Sequence, residues 1–90
     1  MRRNDPNFDT RRFGFALSAK RCDLDMSVPQ FERYMEEVTG WAITPKTVYS
    51  YECGQRVPNF ITAINLARTL YGDDWEKGLV ALAKAGMRNV

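Results

Sequence analysis

Glycine stands at 40, 54, 72 and 86, each closing an apolar-periodic stretch that opens on a residue able to cap a helix. Glycine ends helices because it enters left-handed backbone without a Cβ clash. Ser, Thr, Asn and Asp open them by accepting a hydrogen bond from the first free N–H groups. This punctuation restricts the chain to short helices joined by tight turns.

The clearest start is Ser27-Val28-Pro29-Gln30, a capping box with proline in the first turn. Phe31, Tyr34, Met35 and Val38 then follow at i, i+3, i+4 and i+7, so this helix runs to about residue 38 and stops at Gly40. Thr44-Pro45 opens a helix over 45–53, with Val48 and Tyr51 facing inward. Asn59 caps one over 60–70 that carries Ile61, Ile64, Leu66, Ala67 and Leu70. Asp73 or Asp74 caps a last helix over 75–85, with Trp75, Leu79, Leu82 and Ala83 on one side. Upstream, Asp9 or Thr10 caps a helix ending near Cys22, whose apolar positions are Phe13, Ala16, Leu17 and Phe15. Gly14 counts against that helix, since glycine costs about 1 kcal/mol relative to alanine. No segment alternates as a strand would. The expectation is an all-α, compact five-helix domain over 10–90, preceded by a flexible basic arm at 1–9. Trp41, Trp75, Phe31, Val48 and Leu66 are assigned to its core.

Ninety residues lie just above the length at which small domains need disulfide or metal staples. No apolar run reaches the length of a membrane span, and the polar 1–10 stretch is not a secretory signal, so the expected location is cytoplasmic. With no histidine and two cysteines, Cys22 and Cys53, the common zinc patterns and His-based triads are excluded. There is no nucleophile paired with a base and no glycine-rich phosphate loop. The chain therefore reads as a non-enzyme without metal, cofactor or small-molecule ligand. Asp73-Asp74 is a carboxylate pair, but it sits where a helix cap belongs.

The net charge is only +2, yet the charges are segregated. Residues 1–21 hold Arg2, Arg3, Arg11, Arg12, Lys20 and Arg21 against Asp5 and Asp9. Residues 23–39 hold Asp23, Asp25, Glu32, Glu36 and Glu37 against Arg33. A basic arm beside an acidic segment suits a molecule with one side attractive to DNA, and equally a solvated tail.

Arg21, Ser27, Glu52, Gly54 and Pro58 stand where the XRE-type family of phage repressors and related bacterial regulators has its helix-ending arginine, its second-helix cap and its E-x-G…P closure. Over residues 13–71 the chain resembles that family. The run M-S-x-x-x-F…T-G-W-x-I-T-P-x-T-V-x-x-Y-E is similar to actinobacterial members. Two departures are visible. The connection before Thr44 is about six residues longer than the compact turn, which makes 37–42 an extended second helix and wider turn, with Trp41 and Ile43 filling the gap. Glu32 stands where the family has a small residue.

The resemblance implies a lambda-repressor-like domain with a helix-turn-helix: a sequence-specific regulator of repressor type, bound to double-stranded DNA and so to the nucleoid. Helix 45–53 would enter the major groove, which accepts a helix and exposes a distinct donor and acceptor pattern for each base pair. Thr44, Pro45, Lys46, Thr47, Tyr49 and Ser50 would line its leading edge. Ser27 and Gln30 would meet a phosphate at the second helix's N-terminus, Arg56 the backbone, and Arg2 and Arg3 the minor groove. Arg21 and Glu52 would form a structural ion pair, costly to break if buried, by about 3–5 kcal/mol. Cys22 and Cys53, each following one member of that pair, raise the question of a redox disulfide. Helix 75–85 is the candidate homodimer contact. A reading from a different class is a protein-interaction module, antitoxin-like or adaptor, on the same fold; the modest net charge and the acidic second helix favour it.

Overall fold

A computed structural model describes residues 7–87, and all its regular elements are helical. They are α1 (Thr10–Asp23), α2 (Val28–Thr39), α3 (Pro45–Glu52), α4 (Phe60–Tyr71) and α5 (Trp75–Gly86). Each helix packs mainly on two others, in a closed ring that runs α1, α3, α2, α4, α5 and back to α1. Phe13, Leu17, Val28, Phe31, Met35, Val48, Tyr51, Leu66, Leu70 and Leu82 fill the ring.

Local chemistry sets the helix ends. Asp9 caps α1, its Oδ1 accepting from the N–H groups of Arg11 (3.0 Å) and Arg12 (3.2 Å). Ser27 and Gln30 form the reciprocal box on α2, at 3.3 Å and 2.8 Å. Thr44 and Asn59 cap α3 and α4 through the N–H groups of Thr47 and Thr62.

The end of the chain departs from the expected five separate helices. Helical turns follow one another with no intervening loop from residue 60 to 86, so the described residues hold four helical stretches, the last interrupted at Gly72, whose φ of +62° and ψ of −127° are not helical. The last is bent by a 3-10 turn at Gly72–Asp74 into α4 and α5. Within that turn the Trp75 N–H reaches the Gly72 carbonyl, and neither Asp73 nor Asp74 caps α5 with its side chain. The positive-φ step at Gly72 ends α4, and a single 3-10 turn leads directly into α5.

Several apolar assignments also change. Phe15 points out from α1 and is 76% exposed, and Ile61 is exposed on α4. On α2, Tyr34 and Val38 are exposed while Phe31 and Met35 are buried, so the apolar stripe is wider than the core it covers. Trp75 and Leu79 are half-buried and Ala83 is exposed. Trp41 is exposed at its rim, not in the core. It fastens the wide turn instead: its indole Nε1–H donates to Thr62 Oγ1 at 3.0 Å, and its backbone N–H donates to Thr39 Oγ1 at 3.0 Å. An indole with one polar atom suits such an edge, where the ring packs and the N–H finds a hydroxyl. Ile43 packs against the core beside it.

Gly14 is where α1 crosses the end of α3. A Cβ there would lie 2.5 Å from the carbonyl oxygens of both Tyr51 and Glu52. The glycine that argues against a helix is thus the residue that lets two helix backbones touch. Gly14→Ala forces backbone from backbone, and the expected loss is about 2–3 kcal/mol in a urea unfolding curve. A change within about 0.5 kcal/mol, the scale of a neutral surface substitution, would mean that the crossing is not this close.

Candidate nucleic-acid interface

α3 is held at its C-terminal end and free along one edge. Besides the Gly14 crossing, the Thr10 hydroxyl donates to the Gly54 carbonyl at 2.8 Å. Gly54 has φ +81°, and its Cα faces the backbone of Arg11. Both facts exclude a side chain there.

The third tie is ionic. Arg21 Nε donates to Glu52 Oε2 at 2.7 Å and Nη2 to Oε1 at 3.0 Å. Nη1 donates to the Met26 carbonyl at 2.7 Å, one residue before the cap of α2. One guanidinium therefore binds the end of α1, the end of α3 and the entry to α2. The side chains keep only 14% and 9% of their surface exposed. The hydrogen bonds that Arg21 donates to Glu52 raise the Arg21 pKa above its ordinary value, against the opposing effect of burial. The fork geometry explains the choice of arginine, since a lysine ammonium cannot serve three acceptors in one plane.

The leading edge of α3 is open to solvent. Lys46 is exposed and Tyr49 is 52% exposed, while Val48 and Tyr51 on the opposite side are buried. Pro45, Thr47 and Ser50 are half-buried and Thr44 is exposed. The hydroxyls of Thr44 and Thr47 lie 3.0 Å apart and bond to each other, so the methyl of Thr47 is its freer contact.

Arg56 is exposed in the loop after α3, and its N–H and that of Gln55 return to the Ser50 carbonyl at 3.3 Å and 3.0 Å. Ser27 and Gln30 are exposed at the start of α2. Arg2 and Arg3 lie outside the described residues. Arg11 and Gln55, both exposed beside Gly54, are absent from the site residues expected from sequence. The available signal is Gly54 itself, which marks a close approach but not its partner.

Cys22 and Cys53 are both exposed free thiols. The contacts of Gly54 with Arg11 and of Glu52 with Gly14 place Cys53 beside the first turns of α1. Cys22 lies eight or more residues further along that helix, about 12 Å away at 1.5 Å per residue. A disulfide needs Cα atoms within about 7 Å, so the fold keeps the two apart. Among the described residues no group of three or more His, Cys, Asp or Glu is placed to hold a metal ion, and no helix is long and apolar enough to cross a membrane.

No protein-family model matches this chain, and comparison with curated proteins and with solved structures returns no match.

Removing one partner of the Arg21–Glu52 pair leaves a largely desolvated charge. Glu52→Ala is expected to cost about 2–4 kcal/mol, the slight solvent contact keeping it below the most buried cases. Cys53→Ser, one residue away and exposed, should cost almost nothing. Equal denaturant midpoints for the two variants would show that the pair carries no stability.

Proposed function

We propose that this chain binds double-stranded DNA as a lambda-repressor-like helix-turn-helix domain and regulates transcription, with α2 and α3 as the two helices of the motif. The observation that carries the reading is the asymmetry of α3. Its C-terminal end is fixed by three independent contacts. Its Lys46 and Tyr49 edge projects into solvent. A reading element needs both: rigidity, so that side chains arrive in register, and an uncovered face to enter a groove about 12 Å wide.

The chemistry along that edge suits base pairs. Lys46 supplies a donor for guanine O6 and N7, and Pro45 and the Thr47 methyl supply apolar contact for a thymine methyl. Tyr49 and Ser50 reach bases or phosphates further along. At the α2 N-terminus Ser27 and Gln30 occupy each other's N–H groups and Pro29 has none, so a phosphate there would meet the Val28 N–H and the positive end of the helix. Arg56 is placed for the sugar–phosphate backbone, fixing register without reading sequence.

A second reading has its own support. Val57, Phe60 and Ile61 are exposed around the entry to α4. Beside them lies an apolar cleft of about 160 Å³ lined by Phe8, Phe13, Val57, Pro58, Leu79 and Leu82, among others. Exposed apolar side chains near such a cleft favour a protein partner, as in an antitoxin-like or adaptor module.

A duplex-binding salt titration separates the two. The DNA reading expects affinity to fall steeply with salt as phosphates are neutralised. Arg56→Ala should weaken all sequences alike and make the logarithmic slope shallower by about 0.9. Lys46→Ala should relax preference at one base pair, by about 1–3 kcal/mol of discrimination. Absence of duplex binding at low salt rejects the DNA reading and leaves the protein-interaction module.

A further inference from the structure

α1 carries apolar side chains on both sides. Phe13, Gly14 and Leu17 are buried. On the opposite side Phe15, Ala19 and Cys22 are exposed, spaced i, i+4 and i+7, so they form one stripe. A helix facing water is ordinarily polar along that stripe. The charges that frame it run against the helix dipole. Arg11 and Arg12 are exposed in the first turn, where anions are favoured and where the Asp9 cap supplies one carboxylate against two cations. Asp23 is exposed at the last residue, where cations are favoured. The two cations of the last turn are engaged elsewhere, Lys20 over the Tyr71 ring and Arg21 with Glu52. Arg11, Arg12 and Phe15 border a shallow open depression floored by Ala16 and Ala85.

We propose that this face is a homotypic contact, with α1 of a second copy lying antiparallel across it about a two-fold axis at the level of Ser18. Turning one helix end for end sets Asp23 of the second copy against Arg11 and Arg12, and symmetry repeats the pairing at the other end. Phe15 then lies within one residue's rise of Cys22 of the second copy, and the small Ala19 residues beside the axis let the helices approach. Each charge that opposes its own helix dipole gains an opposite charge across the contact. One helix pair buries less than the about 1,200 Å² of a standard stable interface, so the dimer forms at high concentration and dissociates on dilution. The proposal stands whether or not the chain binds DNA.

Sedimentation from about 10 μM to about 1 mM, a range that spans weak association, tests it. The wild-type mass should rise toward two copies. Phe15→Asp, Asp23→Arg and the pair Arg11→Glu/Arg12→Glu should each weaken association by about tenfold or more, since a buried or like charge replaces a complementary one. Combining Asp23→Arg with Arg11→Glu/Arg12→Glu should restore it to within about threefold, because the charges are then exchanged and not lost. Both reversals follow the helix dipole, while the one at Arg11 and Arg12 adds carboxylates beside Asp9, so the melting midpoint of each variant is measured alongside and a lost association counts only where the fold is kept. A monomer at every concentration overturns the proposal. So does a dimer indifferent to the three changes, as pairing through α5 would be, or a combined variant that fails to recover.

Discussion

The joint between α1 and the end of α3 governs the rest of the architecture. At eight residues α3 is too short to persist alone, since isolated helices below about 12–15 residues are marginal even with good propensities. Its cap at Thr44 satisfies one orphan donor, and Val48 and Tyr51 bury one face. What fixes its direction is the trailing end, where two backbones meet at Gly14 and a guanidinium fork closes over Glu52. The same guanidinium reaches the Met26 carbonyl, so α2 and α3 take their positions from one side chain of α1. Losing that charge would disturb three elements together.

Helix starts were legible because capping is local. The box at Ser27 and Gln30, the Thr44-Pro45 start and the Asn59 cap involve atoms within three residues of one another, and all three stand in the structure. Crossings were not legible, because they join residues far apart in the chain. Gly14 reads as a defect in a helix until Tyr51 and Glu52 are placed beside it. Periodicity marks an apolar stripe without saying how much of it finds a partner, and so Tyr34, Val38 and Phe15 were misjudged. Trp41 was misplaced for a related reason: its size argues for the interior, while its N–H needs an acceptor, and Thr62 offers one at the edge. The exposed edge of α3 followed from the positions of Val48 and Tyr51 alone. The Arg11 and Gln55 neighbourhood required knowing which helix passes Gly54.

Polar residues inside the bundle follow the same economy of partners. α4 buries Thr62, Asn65 and Thr69 along with Leu66, Ala67 and Leu70. Thr62 serves the Trp41 indole, the Thr69 hydroxyl bonds the Asn65 carbonyl, and Asn65 accepts from Arg68. Among the described residues no buried side-chain nitrogen or oxygen lacks a partner. A central helix can therefore carry hydroxyls and an amide without the penalty of an unmet group, and those contacts orient it more specifically than apolar packing alone.

The segment before α1 meets the end of α5. Phe8 pairs with Met87 as an isolated antiparallel bridge, and the Asp9 N–H donates to the Gly86 carbonyl at 2.6 Å. This closes the helix ring through its most distant residues, although most contacts of such a bundle are local and quickly made. During synthesis the first turn of α1 is made early, yet its partner leaves the ribosome only after all five helices have been translated. Among the described residues the strand-like clasp is thus a late tertiary contact for a nascent chain, and a chain truncated within α5 would present the Phe8 ring and the core-facing side of α1 to water.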